Sequence, residues 1–195
     1  MKHLLKLAIV LSSTCAFAGG GNLLKNGDFE SKENPMAGWT VDYAWTGNGV
    51  YVDNTSRVSV VARDGLKRNV LTITPTEESK VESQLQPFDP AARYRCTLDV
   101  KATPGAPTRI YFAGYRWKPG VRPHDNPHPG ELRMVYKSQA ITDFSGAWQN
   151  HSLEFPMQKL SAAARKHLQQ VRFFSLYVWT AQGVAIDNVK VTKIP

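Results

Sequence analysis

Chemistry-bearing residues concentrate in three places along this sequence. His124-Asp125 and His128 fall within "KPGVRPHDNPHPGE" (118–131). Two imidazoles and a carboxylate at that spacing are zinc-type ligands. The four interleaved prolines favour an extended backbone rather than a helix, and no third convincing ligand follows. We therefore read 118–131 as an exposed, rigid loop of a length that is often functional. Glu77, Glu78, Glu131 and Glu154 are the carboxylates from which a glycosidase pair would be drawn. Such chemistry demands two carboxyls at a defined separation, which a sequence does not display. The chain has neither a Gly-x-Ser-x-Gly elbow nor a phosphate-cradling glycine loop.

The third place is aromatic. In "RIYFAGYRW", Tyr111, Ala113, Tyr115 and Trp117 share one face, and Ile110, Phe112 and Gly114 share the other. In "VRFFSLYVWT", Phe173, Ser175, Tyr177 and Trp179 oppose Phe174, Leu176 and Val178. Strands that are apolar on one side and tyrosine- and tryptophan-rich on the other predict a core side and a binding side. Sugar rings present apolar faces that stack on aromatic side chains, while their hydroxyls seek planar polar groups. Tyr111, Tyr115, Trp117, Tyr177 and Trp179 are thus the candidate ligand platform, taken as a group. Arg116, Arg133 and Lys137 lie in the same or the next strand and are the candidate polar contacts. Arg57 and Gln84 are weaker candidates, and Trp39 and Trp148 are assigned to structure.

These residues need strands to position them, and the rest of the chain supplies the pattern. Period-two segments occur at 57–62, 69–74, 80–86, 93–102, 108–117, 132–141, 148–155, 171–180 and 184–194, separated by Gly, Pro and Asx turns. Many short strands at this spacing predict an all-β sandwich or barrel. One segment departs: "KLSAAARKHLQQ" (159–170) is rich in helix formers, with Ser161 as a plausible N-cap. No internal repeat is visible, and no domain boundary is expected after residue 22. Cys96 lies on the apolar side of "RYRCTLDVK" and reads as a small buried hydrophobe rather than a nucleophile.

The chain has 195 residues, enough for one domain with a real core. Residues 1–18 read as a secretory signal: Lys2 and Lys6, an apolar run from Leu4 to Leu11, and an Ala16-Phe17-Ala18 cleavage site. The run is too short to remain as a membrane span, and no other segment is a candidate. Ser12-Ser13-Thr14 ahead of Cys15 is a poor lipoprotein signal, so lipidation is not expected. The mature chain, 19–195, is expected to be one domain, secreted, periplasmic or at the cell surface. Loss of Lys2 and Lys6 takes the formal charge from +8 to +6. That balance suggests anionic partners such as an acidic polysaccharide. Export and the lack of a nucleic-acid motif argue against DNA or RNA.

The two ends, read together, carry a resemblance. "NLLKNGDFES" followed by "GW" at one end, and "VAIDNVKVTKI" at the other, resemble the carbohydrate-binding modules of families 4, 9 and 22. These are galactose-binding-like jelly rolls of the cellulase and xylanase group. "LQPFDPAARYRCTLDVKAT" and "AWQNHSLEF" agree with that group's middle strands, and the likeness extends over 22–194. "GYRWKPGVRPHDNPHPGELRMVY" departs from it, which is where ligand specificity is expected to differ. The resemblance implies a jelly-roll β-sandwich of two antiparallel sheets with one short helical segment near 160–170. It implies a structural Ca²⁺ joining the first and last strands, with Glu30 and Asp187 as ligands. Asp28 and Asn69 would complete the shell through carbonyls, and Asp64 through its carboxylate. The residues alone leave a simpler alternative, in which Glu30 and Asp187 are strand-end charges or pair with Lys25 or Lys190.

The sequence reading is therefore a secreted, non-catalytic polysaccharide-binding protein that works by aromatic stacking and hydrogen bonding. Two other readings stay open: a small extracellular polysaccharide lyase or hydrolase, and a cell-surface adhesion or envelope scaffold protein.

Overall fold

Where the sequence alternates, the chain forms strands that pair antiparallel. A computed structural model describes residues 21–42, 44–45, 51–52, 57–63, 65, 68–74, 79–157 and 159–194. Residues 1–18, expected to be a signal, and Asp64, Glu77 and Glu78 lie outside the described residues.

The strands run β1 (Trp39–Asp42), β2 (Ala44–Trp45), β3 (Tyr51–Val52), β4 (Val58–Ala62), β5 (Asn69–Ile73), β6 (Ser79–Ser83) and β7 (Gln86–Pro87). They continue as β8 (Arg93–Ala102), β9 (Thr108–Trp117), β10 (Leu132–Lys137), β11 (Gln149–Phe155), β12 (Phe173–Thr180) and β13 (Val184–Ile194). One sheet has the order β1-β6-β12-β9-β10, with β7 beside β12. The other has the order β11-β8-β13-β5-β4. Strands β2 and β3 form a separate small ribbon. The one α-helix among the described residues, α1 (Ala162–Leu168), begins where expected, its Ser161 hydroxyl accepting from the Ala164 N–H at 3.1 Å.

The inward faces of the two sheets make the core. Ile110, Phe112, Phe174, Leu176 and Val178 from the first sheet meet Leu71, Leu98, Val100, Phe155 and Ile186 from the second, all fully buried. Phe155, Phe112, Phe174 and Tyr94 sit at ring separations that suit tilted and edge contacts. Cys96 belongs to this core, and burial pushes its thiol well up from the ordinary value. This is a β-sandwich, as the alternation predicts.

The strand expected over 132–141 stops at Lys137. Beyond it the Ser138 hydroxyl accepts from the Phe112 N–H, and only Ile141 pairs again, with Ile110. The opening segment is a series of turns rather than a strand, with Asn26 and Phe29 at positive φ. It still reaches the last strand: Leu23 N–H donates to Val191 O, Val189 N–H to Gly27 O, and the Asn22 side chain bonds both Val189 and Val191. Phe29 is fully buried against Trp39, whose indole N–H donates to Asn26 O. Trp39 is therefore structural, as expected.

Candidate functional site

Strand register sorts the candidate residues by face. On the outward face of the first sheet, Arg109, Trp179 and Lys80 form one row across β9, β12 and β6. Tyr111, Tyr177 and Glu82 form the next row. Met134, Tyr115 and Phe173 form a further row across β10, β9 and β12. Trp117 continues this face, opposite Leu132.

The aromatic group is thus on one face, but its members differ in exposure. Tyr111 and Tyr177 stack at 4.8 Å and are only 7% and 9% exposed. With Ala113 they form a second small core, against which Tyr115, Met134 and Trp179 pack. Trp117 packs edge-on against Phe173 and against the His124 ring at 4.9 Å, so it braces the 118–131 loop. Tyr115 and Trp179 are the half-buried members left to meet a ligand.

Arg116 and Arg133 are not with them. They are register partners on the opposite face, the side of Phe112 and Gly114, because each lies one position out of phase with Tyr115 or Met134. Lys137 does reach the outward face, its ammonium 5.4 Å from the Tyr111 ring.

The 118–131 loop folds over the Tyr115 end of the outward face. Glu131 ties it internally: its carboxylate meets His124 Nε2 at 3.1 Å and accepts from the His128 N–H at 2.7 Å. Those contacts hold the Glu131 carboxyl below the usual range, the His128 N–H being the larger influence. Lys118 closes the base of the loop by donating to Gly130 O at 2.6 Å. The histidines are thus bracing groups, and among the described residues no cluster of three or more His, Cys, Asp or Glu is placed to hold a metal.

Loop and sheet enclose a cavity of about 570 Å³. Tyr115 supplies its aromatic wall, and Glu82, Gln84, Asp125, Asn126 and His128 bring planar polar groups to it. The Tyr115 hydroxyl donates to Glu82, and the Ser175 hydroxyl donates to the same carboxylate oxygen at 3.2 Å. Burial and then the Glu82 charge raise the Tyr115 hydroxyl far above its ordinary value. The same two causes, in the same order, push Tyr111 up to about 12. Both phenols stay protonated at any ordinary pH. Glu82 was missed in the sequence, although the alternation of "KVESQLQ" places Lys80, Glu82 and Gln84 on one side.

The residues expected around calcium make a different arrangement. Glu30 accepts from the Asn69 backbone N–H at 2.6 Å and from Asn69 Nδ2 at 3.2 Å. Asn69 Nδ2 also donates to Phe29 O, and the Asp28 carboxylate accepts from the Glu30 N–H at 3.4 Å. Asp187 is 1% exposed; one oxygen accepts from the Asn188 N–H and the other meets Arg63 at 3.1 Å and Arg68 at 3.4 Å. Arg63 in turn lies 3.9 Å from the Trp148 ring. As arranged, N–H donors take the oxygens that a calcium ion needs, and guanidinium charge already balances Asp187. Calcium takes oxygen donors, and with Asp64 outside the described residues the contacts seen among the others are N–H donors and ion pairs. The remaining carboxylate candidate, Glu154, is on the second sheet between Arg93 and Arg95, away from the cavity.

No protein-family model matches the chain, and no curated protein matches it in sequence. Solved structures match it in fold. The tandem pair of family 22 carbohydrate-binding modules from Paenibacillus barcinonensis aligns over 92% of this chain and 48% of its own, at 15% identity and a TM-score of 0.52. The family 11 module of Clostridium thermocellum, solved with a β-1,3-1,4-mixed-linked tetrasaccharide, aligns over 90% of this chain and 96% of its own, at 16% identity and 0.50. The enzymatically active domain of tailspike protein 4 from bacteriophage CBA120 aligns over 89% of this chain, at 15% identity and 0.50. This chain spans only 21% of that one. At these identities the likeness is of fold: the chain has the jelly roll of carbohydrate-binding modules.

Proposed function

We propose that the protein is exported and binds a polysaccharide without cleaving it, in the cavity between Tyr115 and the 118–131 loop. The observation that carries this reading is the composition of that cavity: one aromatic wall with Glu82, Gln84, Asp125, Asn126 and His128 around it. An aromatic surface with a few convergent polar groups is what a ligand with alternating apolar faces and hydroxyls requires. The Tyr115–Glu82–Ser175 hydrogen bonds fix two of these groups before the ligand arrives. Trp179, beside Arg109 at 5.5 Å, extends the contact surface along the sheet. The formal charge of +6 that remains once residues 1–18 are removed favours an acidic chain over a neutral one.

Catalysis by β-elimination needs a base, and tyrosines whose hydroxyls are held protonated by burial and by Glu82 are poor ones. A second reading rests on Glu82 and Asp125, two carboxylates in one cavity, which is the equipment of glycoside hydrolysis. In our reading the tie between the opening segment and the body of the sandwich is made by Asn69, and Arg63 supplies the positive charge, in place of calcium.

One experiment separates the two readings. The purified protein is run on a panel of neutral and acidic polysaccharides, and the same samples are assayed for released sugars. Retention without products supports the binding role. Products that disappear in Glu82→Gln establish the hydrolase instead, and no retention on any glycan removes the proposal.

A further inference from the structure

Arg116 and Arg133 face one another directly across β9 and β10. Like charges in that relation repel. Both line a cavity of about 350 Å³ beside α1, together with His167 and Gln170. None of the side chains lining it is acidic, and among the described residues neither guanidinium has a carboxylate partner. Arg116 Nη1 donates to Gln170 Oε1 at 2.8 Å, and Gln170 Nε2 donates to Lys166 O at 3.3 Å. The end of the helix therefore orients Arg116 without neutralising it. Arg116 Nε is buried with no acceptor. Arg68 Nε and Arg93 Nε are buried in the same way, but those arginines are paired with carboxylates, so what sets Arg116 apart among the described residues is the lack of a carboxylate beside it.

We infer that Arg116 and Arg133, with His167 and Gln170 beside them, form a binding site for an oxyanion of the sulfate, phosphate or carboxylate class. Two guanidinium forks match the planar or tetrahedral oxygens of such a group, and one anion relieves the repulsion between them. The site is separate from the Tyr115 cavity, because Arg116 leaves β9 on the other face. The anion is either free in solution or the acid group of a glycan, and the chemistry that recognises it is the same.

The test follows melting of the purified full chain in low-salt buffer. Sodium sulfate, sodium phosphate and sodium chloride are added at matched ionic strength. Sulfate and phosphate are expected to raise Tm beyond chloride, and Arg133→Gln is expected to lose most of that excess. Arg133 is exposed, so this variant retains the fold. Arg133→Lys, which keeps the charge and loses the fork, keeps only part of the response. Equal shifts in all three salts, or a full response in Arg133→Gln, overturn the inference. Tyr115→Ala is expected to keep the sulfate response, so failure of the sugar-binding reading does not carry this site down with it. Retention on dextran sulfate and on dextran then separates the sources. A loss in Arg133→Gln confined to dextran sulfate assigns a glycan-borne acid group. Unchanged retention, with the sulfate response intact in wild type, assigns a free anion.

Discussion

Asp99 and Asp187 face each other across β8 and β13, and Arg116 and Arg133 face each other across β9 and β10. The first pair is balanced from within the chain. Arg63 and Arg68 reach Asp187, lie within 4 Å of Asp99, and Asn150 and Asn188 donate to Asp99 at 3.0 and 2.7 Å. The second pair is met by one glutamine amide. A pair that is compensated internally belongs to the fold, and its role is stability. A pair of like charges beside an open cavity, with no carboxylate among the described residues to balance it, is what an anion from outside would fit.

The sharpest way to break this comparison is Arg63→Met. Removing it deprives the buried Asp187 of its nearer counter-charge; leaving such a charge wholly unpaired typically costs about 3–5 kcal/mol, and Arg68, still 3.4 Å away, should hold the loss below that range. Denaturant unfolding should show a loss that approaches but does not reach it. Combining it with Asp187→Asn should cost less than the two single changes added together, since the groups interact directly. Next in size is Ser161→Ala, which removes the cap of α1 at a cost of about 1 kcal/mol. Because the residues just past that helix orient Arg116, this variant should also weaken the sulfate response, read by the same melting assay. Arg133→Gln should have the opposite sign: relief of repulsion raises stability by roughly 0.2–1 kcal/mol in low-anion buffer. The gain should vanish in sulfate. The smallest expected effect is that of a chelator. If guanidinium charge does the work of a cation, excess EDTA leaves Tm unchanged. A bound calcium at a hundredfold excess over its Kd would instead contribute about 2.7 kcal/mol, and chelation would remove it.

Much of the fold was legible because strand alternation is a local property. The limits expected for β8, β9 and β13 coincide with the strands observed, and Ser161 caps the helix. Strand β1 was not legible, since "WTVD" is too short to show a period. The site was legible only in part. Alternation placed Tyr111, Tyr115, Trp117, Tyr177 and Trp179 on one face, but Arg116 was grouped with them although the same period puts it on the other. What it leaves out is what lies over that face. Tyr111 and Tyr177 pack against each other and are buried, and Trp117 is spent on bracing a loop. Both outcomes depend on contacts between segments far apart in sequence. The approach of the 118–131 loop to Glu82 and Gln84 is of the same kind, bringing together residues some forty positions apart. The position of Arg63 against Asp187 and Trp148 has no local signature either.

The central claim is that a sugar is recognised in the Tyr115 cavity, and titration calorimetry tests it most directly. Wild type, Tyr115→Ala, Asn126→Ala and Trp179→Ala would be titrated with an oligosaccharide of whichever glycan retains the protein. We predict that Tyr115→Ala weakens binding at least tenfold, equivalent to about 1.4 kcal/mol. Asn126→Ala should follow it, while Trp179→Ala has the smaller effect and all three variants melt cooperatively. Undiminished affinity in folded Tyr115→Ala and Asn126→Ala would contradict the account.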